Sequence, residues 1–320
     1  MSTAVNMPAI HDNFGLDTEE LLEVAPLVML YGPPKVGKTT SAMQAFNDAL
    51  YIGSSPTGLR GYASWYDYKL ATEGPDAVAY YRAPRGAWHE GGIARRTLTE
   101  YLDDGVTLSD NWTWFRLFFE TKYIPNVTLS PDHPDHWPFR GVIIDEFSTF
   151  LRRILVNMQD SDDFKVDKGG RKIINNFAIY PALKKFVAWL AQVVRVTKLP
   201  VVLICHEQPP KYDEEKGSRT FGQLKYKGGP NMPIGALIEQ VCAECDVILR
   251  AVLEEPKLDL MGDGRSTNGG PTAAPGEPLI RKFITLPSPE WVGGMRASGV
   301  LPEENLNLLS LLERVGFKLR

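Results

Sequence analysis

Leu27-Val28-Met29-Leu30-Tyr31-Gly32-Pro33-Pro34-Lys35-Val36-Gly37-Lys38-Thr39-Thr40 decides the reading of this 320-residue chain. Five apolar residues in a row, closed by glycine and proline, predict a buried strand. Downstream, Ala42, Met43, Phe46, Ala49 and Leu50 recur at helical spacing, which predicts an amphipathic helix. Between strand and helix, Gly32 to Thr39 satisfies G-x-x-x-x-G-K-[ST] at every fixed position. Such a loop turns successive backbone N–H groups inward to cradle phosphates, and the following helix adds its positive end. Lys38 is expected to reach the β- and γ-phosphates and Thr39 to ligate magnesium. Gly32, Pro33, Pro34, Lys35, Val36, Gly37, Lys38, Thr39 and Thr40 are therefore the expected nucleotide-binding residues, with ATP and Mg2+ as ligands.

Strands continue to alternate with helices. The expected strands are 50–52, 141–144, 201–205, 247–249 and 280–285. The expected helices are 148–158, 181–197, 234–245 and 301–315. Pieces of helix are also expected at 95–102 and 112–122. That order predicts an α/β chain with a mostly parallel sheet covered on both faces. Residues 1–20 read as a mobile arm and 21–320 as one domain. An aromatic-rich insert at about 61–140 holds five of the seven tryptophans, and its aromatics are expected to be core of a subdomain. Residues 262–278 are low-complexity and read as a loop.

Gly141-Val142-Ile143-Ile144 is an apolar strand that ends in Asp145-Glu146. Asp145 is the expected magnesium partner and Glu146 the expected general base for the attacking water. A net charge of −4 confines any nucleic-acid contact to local basic loops. Three cysteines point away from a disulfide scaffold, and Cys242-x-x-Cys245 lacks the second pair that a zinc site needs. No apolar run reaches membrane-spanning length, and Met1 to Asp12 does not read as a signal peptide. A cytoplasmic protein is expected.

With these residues in place, the chain resembles RecA-like P-loop ATPases over about 25–60 and 140–300. The loop with its doubled threonine is similar to their GP-x-x-x-GKTT, and Asp145-Glu146 stands at their Walker B position. Val201 to Cys205 followed by His206-Glu207 resembles their next core strand, and Asp246-Val247-Ile248-Leu249-Arg250 their D-x-x-L-R strand. Lys35, the Gly229-Pro230-x-x-Pro233 turn and a Pro-x-Trp segment with an arginine look closest to phage single-strand-annealing ATPases of the Sak-four type. The resemblance implies a RecA-like core with antiparallel C-terminal strands, and nucleotide held at interfaces of a homo-oligomeric ring or filament. It also implies His206 as a γ-phosphate sensor and Arg296 as a finger acting in trans.

Single-stranded DNA is the implied partner, with a single-strand-binding protein as a further one. Its candidate contacts are Lys165, Lys168, Arg171 and Lys172 in one loop. Lys211, Lys216, Arg219, Lys225 and Lys227 form the other, interleaved with Tyr212, Phe221 and Tyr226. Two departures stand out: Ile52-Gly53-Ser54-Ser55 lacks the acid that such enzymes carry after the second strand, and Gly294-Met295-Arg296 lacks their lysine. Alternatives are an AAA+ or packaging-type motor, and an ATP-dependent assembly module with little hydrolysis.

Overall fold

Strand β1 (Leu27–Gly32) is buried at all six positions, which requires partners on both edges and cover on both faces. Its setting is a computed structural model that describes residues 25–46, 49–53, 71, 95–97, 115–116, 118–137, 139–160, 162–215, 218–233, 237–254, 280–295 and 301–317. Helix α1 (Lys38–Ala45) follows the loop. It stops earlier than its apolar spacing suggested, because Ala49 and Leu50 belong to β2 (Ala49–Gly53). Where helix was expected at 95–102, Arg95–Thr97 forms strand β3, paired in parallel with β2. An open sheet edge overrides the weak local preference there.

A five-residue π-helical turn (Phe119–Tyr123) leads into α2 (Ile124–Thr128), then β4 (Gly141–Asp145) and α3 (Phe147–Asp160). The expected loop after α3 is a small hairpin, β5 (Lys165–Asp167) with β6 (Lys172–Ile174), turned by Gly169 and Gly170 at positive φ. Helix α4 (Asn176–Thr197) begins five residues before the expected start and carries Pro181 inside it. Next come β7 (Val201–Gln208), the β8 (Lys211–Tyr212) and β9 (Leu224–Tyr226) hairpin, β10 (Gly229–Pro230) and α5 (Leu237–Cys242). The chain ends in β11 (Val247–Glu254), β12 (Ile280–Ile284), β13 (Gly294–Met295), β14 (Glu303–Asn305) and α6 (Leu308–Arg314).

The main sheet runs β14-β12-β11-β1-β7-β4-β2-β3. The six strands from β11 to β3 are parallel, and β12 and β14 add on antiparallel to their neighbours. This is the mostly parallel α/β sheet with antiparallel C-terminal strands expected from sequence. Strand β7 lies between β1 and β4, so the phosphate loop and Asp145 end two strands apart at the carboxyl ends of the sheet, where α/β sheets place ligands.

Strict alternation sorts the side chains. Leu27, Met29 and Tyr31 face α3, α4 and α5 with Val142, Ile144, Leu203 and Cys205. Val28 and Leu30 face α1 and α6 with Ile143, Val202, Ile204 and Leu249. The described aromatics of the insert continue the first of these cores. Phe115 lies 4.8 Å from Phe150 and Phe119 lies 5.6 Å from Trp189, centroid to centroid. Phe118, Tyr123, Trp137 and Phe139 are buried with them, in the main core and not in a subdomain of their own.

The C-terminal segment folds back onto α1. The Ser41 hydroxyl accepts from the Leu308 N–H at 3.1 Å, and α6 packs Leu308, Leu311 and Leu312 beneath it.

Candidate functional site

Three backbone features shape the loop from Gly32 to Thr39. Gly32 has φ 153°, and a Cβ there would lie 2.2 Å from the Ala251 carbonyl oxygen, so only glycine lets β1 lie this close to β11. Lys35 turns the loop at φ 64° and Gly37 at φ 103°. Gly37 then caps α1, with the Ser41 N–H donating to its carbonyl at 2.9 Å. Val36 is buried and pins the loop to the α1-side core.

Lys38 points back under the loop. Its Nζ donates to the carbonyls of Gly32 at 2.9 Å and Pro33 at 2.7 Å. The side chain is 7 % exposed, and burial lowers its ammonium pKa, an effect opposed by the nearby Asp145, Cys205 and Glu207.

Asp145, at the tip of β4, is buried and held by three donors. Its Oδ2 accepts from the Thr39 hydroxyl at 2.8 Å and from the Tyr51 hydroxyl at 2.6 Å, and its Oδ1 accepts from the Glu146 N–H at 2.8 Å. Burial raises its carboxyl pKa, while the bonds from Tyr51, Thr39 and Glu146 pull it back. Because Thr39 spends its proton on Asp145, its oxygen lone pairs face away from that bond. Two hard oxygen donors beside a lysine and a loop of amides at a helix start fit a magnesium triphosphate.

Glu146 has φ 56°, and its carbonyl accepts from the Thr149 N–H at 2.8 Å, so the expected base starts α3 immediately beside Asp145. His206 lies opposite Gly32 in the β1–β7 register, next to the loop's first residue. Arg296 lies outside the described residues, as does Lys216.

The expected nucleic-acid loops are two separate hairpins, and no hydrogen bond or ion pair among the described residues joins them. In the first, Lys172 and Lys165 share Asp162 at 2.7 and 3.5 Å, and the Lys172 bond holds that exposed carboxyl below its usual range. Lys168 and Arg171 stand exposed at its tip, near exposed Val166, Ile173 and Ile174. In the second, Lys227 lies 3.8 Å from Glu239, while Lys211, Arg219, Lys225 and Phe221 are exposed. Cys242 and Cys245 are buried and form no disulfide, and the described residues hold no cluster of three or more metal-ligating side chains. No described helix is long and apolar enough to cross a membrane.

Two groups escaped the sequence reading. One is Tyr51, an apolar-strand residue whose hydroxyl sits on Asp145. The other is a stack behind the site, where the Arg250 guanidinium lies 3.4 Å from the Trp291 ring centroid and its Nε is 3.2 Å from Glu207. Tyr31 donates to the Val292 carbonyl beside it. The same segment zips to the second hairpin: Gly228 N–H donates to Glu290 O at 2.7 Å and Val292 N–H to Gly228 O at 3.0 Å. The signal was the Glu207, Arg250 and Pro-x-Trp pattern, legible as residues but not as a cluster.

A family model described as an AAA domain matches residues 25–296. No curated protein sequence matches the chain. Among solved structures, a KaiC-like protein from the hyperthermophilic archaeon Pyrococcus horikoshii is similar at 12 % identity and TM-score 0.37, covering 85 % of this chain and 84 % of its own. A RadB recombinase is similar at 14 % and 0.35, over 82 % and 81 %. The flagellar accessory protein FlaH from Methanocaldococcus jannaschii is similar at 11 % and 0.36, over 88 % and 84 %.

Proposed function

The chain belongs to the AAA domain family whose model spans residues 25–296, and from that premise we propose that it is a RecA-like P-loop ATPase that binds and hydrolyses ATP at the loop 32–39. The observation that carries the reading is the convergence of Lys38, Thr39 and Asp145, drawn from positions 106 residues apart in sequence, within hydrogen-bond reach of one another or of the loop carbonyls. The loop amides and Lys38 bind the phosphates. Thr39 and Asp145 hold magnesium, which when bound neutralises charge on the β- and γ-phosphates. Glu146 orients and deprotonates the attacking water, and His206 senses the γ-phosphate from the neighbouring strand. Arg296, supplied by an adjoining copy of the chain in a ring or filament, adds positive charge where the γ-phosphate departs.

The substrate we propose is single-stranded DNA, in cytoplasmic recombination or replication like that of the phage annealing ATPases it resembles. What supports this is the chemistry of the hairpins: exposed Lys168, Arg171, Lys211, Arg219 and Lys225 beside exposed Phe221 and Tyr212. Against an AAA+ remodeller stands the C-terminal part, whose described residues form antiparallel strands and one seven-residue helix rather than a helical lid.

The test is ATP turnover with and without a single-stranded oligonucleotide. DNA should raise the rate and Lys38→Ala should abolish it, whereas a wild-type rate that ignores DNA would remove the DNA part. A second reading, an assembly module with little hydrolysis, is favoured by one observation: β2 ends in Ile52-Gly53 with no carboxylate among its described residues. Single-turnover hydrolysis separates the two.

A further inference from the structure

We propose that Tyr51 is a positioning residue for magnesium, fixing Asp145 in the orientation that lets Thr39 and the metal share one site. The proposal rests on the magnesium-nucleotide reading above and adds a residue to it.

The argument is geometric. Strands β2 and β4 pair in parallel, with Tyr51 opposite Ile143 and Gly53 opposite Asp145. Alternation puts Ile143 and Asp145 on one face of β4, and Tyr51 is buried on that same face of the sheet. Its ring lies within the α1-side core, fully buried, so its hydroxyl is carried by a rigid side chain with two torsions. That hydroxyl reaches Asp145 Oδ2 at 2.6 Å, the same oxygen that Thr39 reaches at 2.8 Å.

An ionised carboxylate offers about four acceptor sites. Tyr51 and Thr39 take the two on Oδ2, and the Glu146 N–H takes one on Oδ1. One Oδ1 position remains to accept from a metal-bound water. These three donors leave the carboxylate no free rotation, and Tyr51 is the one among them that is neither in the loop nor next to Asp145 in sequence. Remove that hydroxyl and Asp145 keeps its bond to Thr39 but loses the lock on its plane.

The experiment measures affinity for a fluorescent ADP in two arms, with magnesium and with EDTA, for the wild type, Tyr51→Phe, Asp145→Asn and the double variant. We expect Tyr51→Phe to bind within about twofold of wild type in EDTA, because the loop amides are intact. With magnesium it should bind about tenfold more weakly, the scale of one hydrogen bond to a charged group. In the Asp145→Asn background the same change should have no further effect. Equal magnesium dependence in wild type and Tyr51→Phe, or an equal loss in both arms, would overturn the proposal and leave the nucleotide reading standing. A wild type that binds in neither arm would overturn both. As a check that needs no truncation, 3-fluorotyrosine at position 51 should shift its 19F resonance when magnesium joins the nucleotide-bound protein, and an unmoved resonance would again overturn the assignment.

Discussion

Gly32→Ala puts the close approach of β1 and β11 to a quantitative test. A Cβ at Gly32 would sit 2.2 Å from the Ala251 carbonyl oxygen and 3.1 Å from its carbon. A side-chain carbon needs at least about 3.0 Å, so the strands must part by about 0.8 Å (3.0 less 2.2) in a close-packed interior. The obstacle is backbone in the centre of a sheet and cannot swing aside. Overpacking of this kind costs about 1–3 kcal/mol, and forcing alanine to φ 153° adds about 1–3 kcal/mol. The expected loss is about 4 kcal/mol, a large share of the roughly 5–15 kcal/mol that holds a domain together. Gly222→Ala is the control: φ is +75° but nothing lies within 4 Å of the new carbon, so only the left-handed strain of about 1–2 kcal/mol remains. Urea unfolding of both variants, read at a shared slope, gives the difference. If Gly32→Ala comes within about 0.5 kcal/mol of Gly222→Ala, the packing argument is refuted.

Lys38→Met should melt within about 1 kcal/mol of wild type, because it removes a buried ammonium, yet show none of the stabilisation that a hundredfold excess of nucleotide over its Kd gives the wild type, about 2.7 kcal/mol; thermal melts with and without ATP check this. Arg250→Ala should cost about 2 kcal/mol by loss of the Trp291 stack and the Glu207 contact, and Arg250→Lys should recover less than half of it in urea unfolding, because an ammonium cannot stack as a plane. In the second hairpin, bonds from the Thr220 hydroxyl, the Glu215 N–H and the Ser218 hydroxyl hold the Asp213 carboxyl below its usual range. A depressed carboxyl stabilises fully above the unfolded pKa of about 3.9 and loses that stabilisation as pH falls through the lower folded value. Amide exchange at Glu215 and Gly222 should therefore quicken in acid relative to the core, and Asp213→Asn should be equally fast throughout.

Local chemistry was legible and long-range chemistry was not. Gly32, Gly37, Lys38 and Thr39 carry their reading in their spacing, and Asp145 carries its own as the first charge after an apolar strand. Both faces of the sheet could be inferred from unbroken apolar runs such as Leu27 to Tyr31. Arg95 to Thr97 gave no strand signal, because what makes it a strand is the free edge of β2. The hairpin at 165–174 was hidden for a similar reason: its Gly169-Gly170 tip could be read, but pairing between two three-residue strands could not. Tyr51 looked like one more core aromatic, since only the β2–β4 register reveals a carboxylate beside its hydroxyl. The same holds for Arg250, Glu207 and Trp291, which three separate segments bring to one spot.

The place of β1 in the sheet also bears on synthesis. Its two neighbours are residues 201–208 and 247–254, so the ribosome finishes the central strand 222 residues (254 less 32) before the second of its flanks exists. At about 5–20 residues per second, that is a wait of roughly 10 to 45 seconds. Until residues 201–208 emerge this entirely apolar segment has neither of its strand mates, and until 247–254 emerge it has only one. The strand that carries the phosphate loop is thus fully flanked only late in synthesis.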